Sequence, residues 1–158
     1  MGFLHCVLYL VCLGIGVFLL GRVLPKQGFH WDQFPFLSFA WEQEGRIYER
    51  LHIRQWQNLV PDMSRIFPSM MPSKQLSHNS LTQLPEMLRE TCVAEFTHLL
   101  LCVAGFCCVQ IWPEGGRSVA LLFLLGNLPY ILIQRYNRPR LVRLLRKFQK
   151  RESQLCEF

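Results

Sequence analysis

Three long runs of apolar residues decide what this chain can fold into. They cover residues 3–24, 92–112 and 117–135. An α-helix rises about 1.5 Å per residue and the apolar core of a bilayer is about 30 Å thick, so about 20 apolar residues cross it. Each run has close to that length. The sequence therefore predicts an all-α integral membrane protein with about three transmembrane helices.

Two further helices are expected outside these runs. Residues 41–59 show helical spacing and follow an aromatic-rich segment at 31–41, a composition typical of the membrane–water interface. Residues 138–153 place leucines and basic residues on opposite faces, as in an amphipathic helix on an anionic leaflet. We expect a single membrane domain over residues 1–158. It comprises a cytoplasmic or interfacial loop, a transmembrane hairpin and a basic tail, at residues 25–90, 91–135 and 136–158.

The net charge of +6 is unevenly distributed along the chain. Residues 138–151 contain seven Lys or Arg and no acidic residue, whereas the turn at 113–117 contains one basic residue. Because basic loops stay in the cytoplasm, we expect a multi-pass protein of the cell membrane with its N-terminus outside and its C-terminus in the cytoplasm. A basic segment beside apolar runs also favours membrane lipids as partners over nucleic acid, for which no motif is present.

Neither the cysteines nor the acidic residues indicate a metal site. The seven cysteines are odd in number and lack the spacing of zinc ligands. Within the apolar runs a Glu-x-x-His motif occurs once, at Glu95 and His98, whereas di-iron bundles need two such motifs and two further carboxylates. We expect neither a metal ion nor another cofactor.

Polar side chains interrupt the second and third runs near the same end of the predicted hairpin. Glu95 and His98 are three residues apart and therefore share one face of the second helix. One face of the third helix carries four polar side chains, those of Asn127, Tyr130, Gln134 and Arg138.

Folding the hairpin about Gly115 predicts the depth of these groups. Residues equally far from the turn lie at similar depth, which brings Glu95 to the level of Arg135 and His98 to that of Leu132 and Gln134. A charged group costs about 2.5–3.5 kcal/mol at the bilayer centre, so partners are expected. Two interpretations stay open: an ion pair of Glu95 with Arg135 that joins the helices, or an acid–base pair of Glu95 with His98 beside an anion site.

Three stretches of the chain resemble one known family. They read WEQEGRIYERLHIRQWQNLVPD at 41–62, ETCVAEFTHLL at 90–100 and NLPYILIQRYNRPRLVRLLRK at 127–147. Their order and approximate spacing are similar to those of the glycosyl-4,4'-diaponeurosporenoate acyltransferase family, small membrane acyltransferases named for the last step of staphyloxanthin synthesis. The likeness covers roughly residues 36–150.

The resemblance implies transfer of a fatty acyl group to a hydroxyl of a glycolipid or other lipid-linked acceptor. The implied donor is acyl-CoA or a similar thioester, which acts as a co-substrate. Nothing in the sequence identifies the acceptor as a carotenoid. The family's motif residues carry over as Glu95, His98, Gln134, Arg135, Asn137, Arg138 and Arg140, with Trp41, Gly45, Arg54, Trp56 and Asp62 from the loop.

Acyl transfer needs a base for the hydroxyl proton and donors for the developing oxyanion. We expect His98 to be the base and Glu95 to orient its ring, or the reverse. Candidate oxyanion donors are Gln134, Arg135 and Asn137, and candidate ligands of donor phosphates are Arg138 and Arg140. The full predicted set for substrate and donor binding adds Asn127, Arg54 and Trp56 to these five residues.

Other interpretations of the same residues stay open. Cys92 could form a covalent acyl intermediate, although six positions place it and His98 on diverging faces. His52 and Asp62 could join the site from the loop, or His52 could belong to the interfacial helix. The chain could also be a non-catalytic membrane subunit that binds anionic lipid, or a lipid hydrolase or transacylase with the same acid–base pair.

Overall fold

The computed structural model describes residues 1–61 and 80–156 of the chain. These residues form five α-helices and two 3-10 segments, and no strand. The helices are α1 (Gly2–Val23), α2 (Ile53–Trp56), α3 (Ser80–Gly105), α4 (Cys108–Ile111) and α5 (Gly116–Cys156), and the 3-10 segments are Lys26–Gly28 and Ala40–Glu49. The predicted all-α fold class is confirmed.

Three helical stretches of the described residues are long and apolar enough to cross a membrane. They are Gly2–Val23, Gln83–Ile111 and Gly116–Arg151. Most apolar side chains of α1 are exposed, and only Cys6 and Val17 of this helix are buried. Apolar surface of this extent suits contact with lipid, whose hydrocarbon takes the place of a protein core. The protein is therefore a helical membrane protein, as the sequence predicts.

The second and third spans are longer than predicted. Helix α3 begins at Ser80 and so includes twelve residues before position 92. Leu84 and Leu88 in these added turns are fully buried and give them an apolar packing face. The separately predicted helices 117–135 and 138–153 are one continuous helix, α5. Pro129 and Pro139 each remove one backbone donor from α5, yet the helix continues through both positions.

The predicted interfacial helix at 41–59 is not a continuous helix. Gln43, Glu44 and Gly45 adopt φ angles of 48°, 56° and 89°, which lie in the left-handed region. His52 adopts a φ of 52° just before α2. Residues in this region cannot continue a right-handed helix. The spacing of apolar side chains did not reveal these reversals because it carries no information about backbone handedness.

The chain forms two compact units. The first comprises Met1–Pro25 and Val93–Leu132, and the second comprises Lys26–Cys92 and Ile133–Phe158. The division falls inside α3 and inside α5, so each of these long helices contributes to both units.

The first unit packs α1 against the hairpin through a small buried cluster. Cys6, Cys108 and Ala120 form its centre. The Tyr9 hydroxyl donates a hydrogen bond of 2.8 Å to the carbonyl oxygen of Ala104. This bond satisfies a polar group on an otherwise apolar helix and a carbonyl near the end of α3.

The hairpin of the first unit depends on two close approaches. A Cβ atom at Gly116 would lie 2.0 Å from the carbonyl oxygen of Cys108, so only glycine fits where α5 leaves the turn. A Cβ atom at Gly105 would lie 2.7 Å from the ring of Phe123. The absence of a side chain at Gly105 therefore lets α3 and α5 approach closely. This contact sets the register of the two helices at the polar residues that follow.

Candidate functional site

Two polar clusters stand out, one in each unit. The histidine site, in the first unit, consists of His98 on α3 with Asn127 and Tyr130 on α5. The arginine clasp, in the second unit, consists of Arg135 and Arg138 on α5 with their acceptors in the 35–42 segment and at Thr91.

The histidine site joins the two helices of the hairpin. His98 Nδ1 and Asn127 Oδ1 are 2.8 Å apart. The rings of His98 and Tyr130 stack with their centroids 4.4 Å apart and their planes 10° from parallel. Asn127 is only 7% exposed, so its amide is held inside the unit. The hydrogen bond and the stacked ring together fix the position of the imidazole.

The hydrogen bonds of Asn127 identify the tautomer of His98. Asn127 Nδ2 donates to the carbonyl oxygen of Phe123 at 2.8 Å, and a carbonyl oxygen can only accept. The amide must therefore present Oδ1, which is also only an acceptor, to the imidazole. Nδ1 of His98 carries the proton, and in the neutral ring Nε2 keeps its lone pair. Nε2 has no hydrogen-bond partner among the residues that the structure describes.

The depth predicted for His98 differs from the structure by about one helical turn. Its contacts on α5 are Asn127 and Tyr130, whereas folding about Gly115 placed it at the level of Leu132 and Gln134. The chain reverses at residues 113–115, between the short helix α4 (Cys108–Ile111) and α5. The sequence predicts that Asn127 binds substrate, and in the structure its side chain contacts His98.

Glu95 precedes His98 by one turn on α3. It lies in the first unit and is 1% exposed. The sequence offered Glu95 as the group that orients the His98 ring, but the hydrogen-bond partner of Nδ1 is Asn127. Glu95 therefore contributes a buried carboxylic group on the same stretch of helix.

In the second unit, the arginine clasp is built around the buried carboxylic group of Glu42. Oε2 of Glu42 accepts hydrogen bonds from the Ser38 hydroxyl at 3.1 Å and the Phe39 backbone N–H at 2.8 Å. Oε1 accepts from the Tyr48 hydroxyl and from Arg135 Nη1, the latter at 2.9 Å. Glu42 is 1% exposed. A carboxylate with four donors is well satisfied even though it is buried.

These contacts decide the ionisation of Glu42. Burial by itself would raise its pKa, because it disfavours the charged form. The hydrogen bonds from Tyr48, the Phe39 N–H and Arg135, together with the charge of Arg135, outweigh burial and lower the pKa below its ordinary value. Glu42 is therefore a carboxylate at neutral pH.

The two arginines of the clasp tie the 35–42 segment to α5. Arg135 Nη2 donates to the Pro35 carbonyl oxygen at 2.7 Å, and its guanidinium lies 4.8 Å from the centre of the Phe39 ring. Arg138 Nη1 donates to the Phe36 carbonyl oxygen at 2.7 Å. These bonds hold irregular backbone against the helix.

Arg138 is the more deeply buried of the two arginines, at 3% exposed. Its Nε and Nη2 atoms donate to the hydroxyl and the carbonyl oxygen of Thr91, at 3.0 and 3.1 Å. Together with the bond to Phe36, all three guanidinium nitrogens have protein acceptors. Arg138 therefore joins three segments of the second unit.

The other predicted binding residues of the second unit have separate surroundings. Asn137 Nδ2 donates to Gln57 at 3.4 Å, and Trp56 Nε1 donates to the Leu51 carbonyl oxygen at 2.9 Å. Arg140 is exposed and lies 4.8 Å from the centre of the Tyr136 ring. Gln134 is partly buried and Arg54 is exposed. Asp62 lies outside the described residues.

Sequence reasoning missed the residues that organise the clasp. Glu42, Tyr48 and Thr91 are buried partners, but their residue types are common on surfaces and in loops. Glu42 lies within the quoted stretch WEQEG, where nothing separates it from the exposed Glu44. Among the described residues, no three His, Cys, Asp or Glu side chains are grouped so as to hold a metal ion.

The fold and the two polar clusters define a class: a small helical membrane protein with a histidine fixed inside its hairpin. The family model described as glycosyl-4,4'-diaponeurosporenoate acyltransferase matches residues 25–147. The chain belongs to this family, and the resemblance drawn from the sequence is confirmed.

The chain is also similar to individual proteins of Staphylococcus aureus named glycosyl-4,4'-diaponeurosporenoate acyltransferase. Those of strains MRSA252, N315 and USA300 are each 27% identical over 151 residues, covering 92% of this chain and 89% of the relative. No solved structure matches. The similarity extends over nearly the whole of both chains.

Proposed function

We propose that the protein transfers a fatty acyl group from acyl-CoA or a similar thioester to a hydroxyl of a glycolipid or other lipid-linked acceptor. The family supports acyl transfer, and the three spanning helices support a substrate that resides in the membrane. The relatives are named for a glycosyl compound, which supports a glycoside as acceptor. The basic end of α5 supports a reaction at the cytoplasmic leaflet.

The observation that carries the proposal is the hydrogen bond between His98 and Asn127. It leaves Nε2 of the neutral imidazole as the atom that can accept a proton. A histidine is a suitable base near neutral pH, and a positioned base contributes roughly 10²–10⁴-fold to a rate. We assign this role to His98.

In the proposed reaction, Nε2 takes the proton of the acceptor hydroxyl as its oxygen attacks the thioester carbonyl carbon. The new C–O bond forms and the carbonyl electron pair moves to oxygen. The C–S bond then breaks, the carbonyl re-forms, and the imidazolium returns the proton to the leaving thiolate. The products are an acyl ester and a free thiol, and His98 returns to its starting tautomer.

Two neighbouring groups assist His98 in this proposal. Asn127 Oδ1 accepts the Nδ1 proton in both the neutral and the protonated ring, so it positions the base throughout the cycle. Glu95 favours the imidazolium as it forms, because the two side chains are neighbours on one helix face. Gln134, Asn137 and Arg140 are retained as substrate-binding groups. Arg135 and Arg138 are assigned a structural role, since their guanidinium groups contact protein acceptors.

The test compares the lipids of cells that express the wild type with those of cells that express His98→Ala. We expect a lipid that gains one acyl chain only with the wild type, and a loss of roughly 10³-fold in the variant. His5→Ala is the matched control, because His5 is an exposed histidine of α1 in the same unit. The variant proteins should insert equally well.

The same comparison separates acyl transfer from its rivals. Wild-type rates in His98→Ala would remove His98 as the base. Release of free fatty acid without an acylated product would identify a lipid hydrolase. Identical lipids in cells with and without the wild-type protein would favour a non-catalytic subunit.

A further inference from the structure

A polar cavity of about 360 Å³ lies in the second unit, and the proposed reaction does not use its residues. It is lined by Gln43, Arg46, Glu49, Arg50 and His52. All five side chains are polar or charged, and all five residues are exposed. Small-molecule sites usually measure about 300–1,000 Å³ and have apolar walls. The volume of this cavity lies near the lower end of that range, but its lining side chains are polar. It therefore suits a polar ligand group.

Arg46 and Arg50 give the cavity its charge. Within the part of the chain that the structure describes, neither guanidinium has a hydrogen-bond or ion-pair partner. Arg138 of the clasp, in contrast, has protein acceptors for all three nitrogens. The lining contains one carboxylic residue, Glu49, so its formal charge is positive. Guanidinium groups with no protein partner that face a cavity favour an anion with several oxygens.

The backbone that carries the cavity is fixed on the clasp. Gln43 and His52 have left-handed φ angles of 48° and 52°, a conformation that persists in such residues only when the surroundings impose it. Glu42, directly before Gln43, is held by Arg135. A Cβ atom at Gly45 would lie 3.4 Å from Pro139 on α5. The cavity is therefore preorganised, which reduces the entropy lost when a ligand binds.

Exposed apolar side chains flank the cavity residues along the chain. Trp41 is 60% exposed and Leu51 is 51% exposed. Exposed aromatic and aliphatic side chains next to basic residues are typical of a surface at the level of lipid headgroups. An anion that binds here is therefore one that is present at the membrane surface.

We propose that the cavity formed by Gln43, Arg46, Glu49, Arg50 and His52 binds a phosphate-ester group. Arg46 and Arg50 donate hydrogen bonds to the phosphate oxygens, and Gln43 and Glu49 accept from hydroxyl groups of the same ligand. Two molecules at a membrane surface carry this chemistry: coenzyme A, as part of a thioester donor, and an anionic phospholipid headgroup. The proposal rests on the proposed function only in naming coenzyme A as one of these two sources.

The experiment measures binding, not turnover, with the full-length protein in phosphatidylcholine nanodiscs. One arm titrates coenzyme A by calorimetry. The other arm compares occupancy by phosphatidylglycerol and phosphatidylcholine using native mass spectrometry. The test variants are the double substitutions Arg46→Gln with Arg50→Gln, and Arg46→Lys with Arg50→Lys. The control is Arg117→Gln, which removes a positive charge from an exposed residue of the first unit.

We expect the double Gln variant to bind at least one of the two probes at least roughly tenfold more weakly, because two charge-assisted hydrogen bonds are lost. The double Lys variant should also bind more weakly, since lysine keeps the charge but not the planar pair of donors. Arg117→Gln should bind as the wild type does. A loss confined to coenzyme A identifies the donor as the source, and a loss confined to phosphatidylglycerol identifies the headgroup.

The proposal is overturned if neither probe binds, or if both bind the double Gln variant as tightly as the wild type. An equal loss in Arg117→Gln would also overturn it, because binding would then follow net charge alone. These outcomes are independent of His98→Ala. If turnover depends on His98 but binding does not depend on Arg46 and Arg50, the proposed acyltransferase function stands. Only the proposal of a phosphate-ester site in the cavity is then overturned.

Discussion

The histidine site and the arginine clasp are both polar clusters that include residues of α3 and α5. They differ in how many of their hydrogen-bonding atoms have a protein partner. In the clasp, Glu42 has four donors and all three nitrogens of Arg138 have acceptors. In the histidine site, one ring nitrogen of His98 is engaged and the other has no partner among the described residues.

This difference separates structural from chemical roles. A buried ion pair whose groups already contact protein partners holds segments of the chain together. A histidine fixed at one nitrogen is oriented, yet it can still exchange a proton at the other. The clasp residues should therefore control stability, and the histidine site should control the rate of acyl transfer.

The largest effect that we predict from this comparison is on stability, in Glu42→Ala. Removing the carboxylate takes away the acceptor of one hydrogen bond from each of Arg135, Tyr48 and Ser38, which should cost about 3 kcal/mol. The matched control is Glu44→Ala, since Glu44 is 69% exposed and its ion pair with Arg143 measures 3.7 Å. That pair should contribute at most about 0.5 kcal/mol.

The measurement is thermal unfolding of the purified variants in one detergent. Glu42→Ala should unfold at a clearly lower temperature than Glu44→Ala, and the rate per folded molecule should change little. Equal unfolding temperatures for the two variants would show that the clasp does not stabilise the second unit.

The next effect is on the rate, in Asn127→Leu. Leucine branches at the same carbon as asparagine but offers no acceptor for Nδ1–H of His98, so the imidazole loses its fixed tautomer and orientation. Loss of a supporting partner of this kind typically costs about 10–100-fold. We expect kcat to fall by that factor, with KM nearly unchanged, in an assay of acyl transfer by the purified protein. A change in KM alone would return Asn127 to the substrate-binding role that the sequence suggested.

The transmembrane part of the fold could be predicted from the sequence because lipid imposes a simple rule. Any helix that crosses the bilayer must be long and apolar, and the runs at 3–24, 92–112 and 117–135 meet that condition. The 41–59 segment could not be predicted in the same way. Its conformation depends on the contacts of Glu42 with Arg135 and of Gly45 with Pro139, which join residues far apart in the chain.

For the candidate site too, some features could be predicted from the sequence and others depend on contacts between distant residues. Glu-x-x-His at 95–98 is visible in sequence because ionisable groups within a span are unusual. The partner of His98 depends on the register of the hairpin, and the close approaches at its glycines are not revealed by any periodicity of the sequence. The guanidinium groups of the NLPYILIQRYNRPR stretch could be recognised as a cluster, but their acceptors are mostly backbone carbonyls of Pro35, Phe36 and Thr91.

The smallest effect concerns the pH dependence of the clasp. Because the folded state lowers the pKa of Glu42, its contribution to stability is complete above the ordinary pKa of 4.5 and is lost as the pH falls through the lower folded value. The gap in unfolding temperature between the wild type and Glu42→Gln should therefore be constant near neutral pH and shrink below about pH 4.5. Thermal unfolding from pH 7 to pH 3 in one detergent measures this gap. A gap that widens on acidification would mean that Glu42 is stabilised in its protonated form, and that Arg135 does not act as its counter-ion.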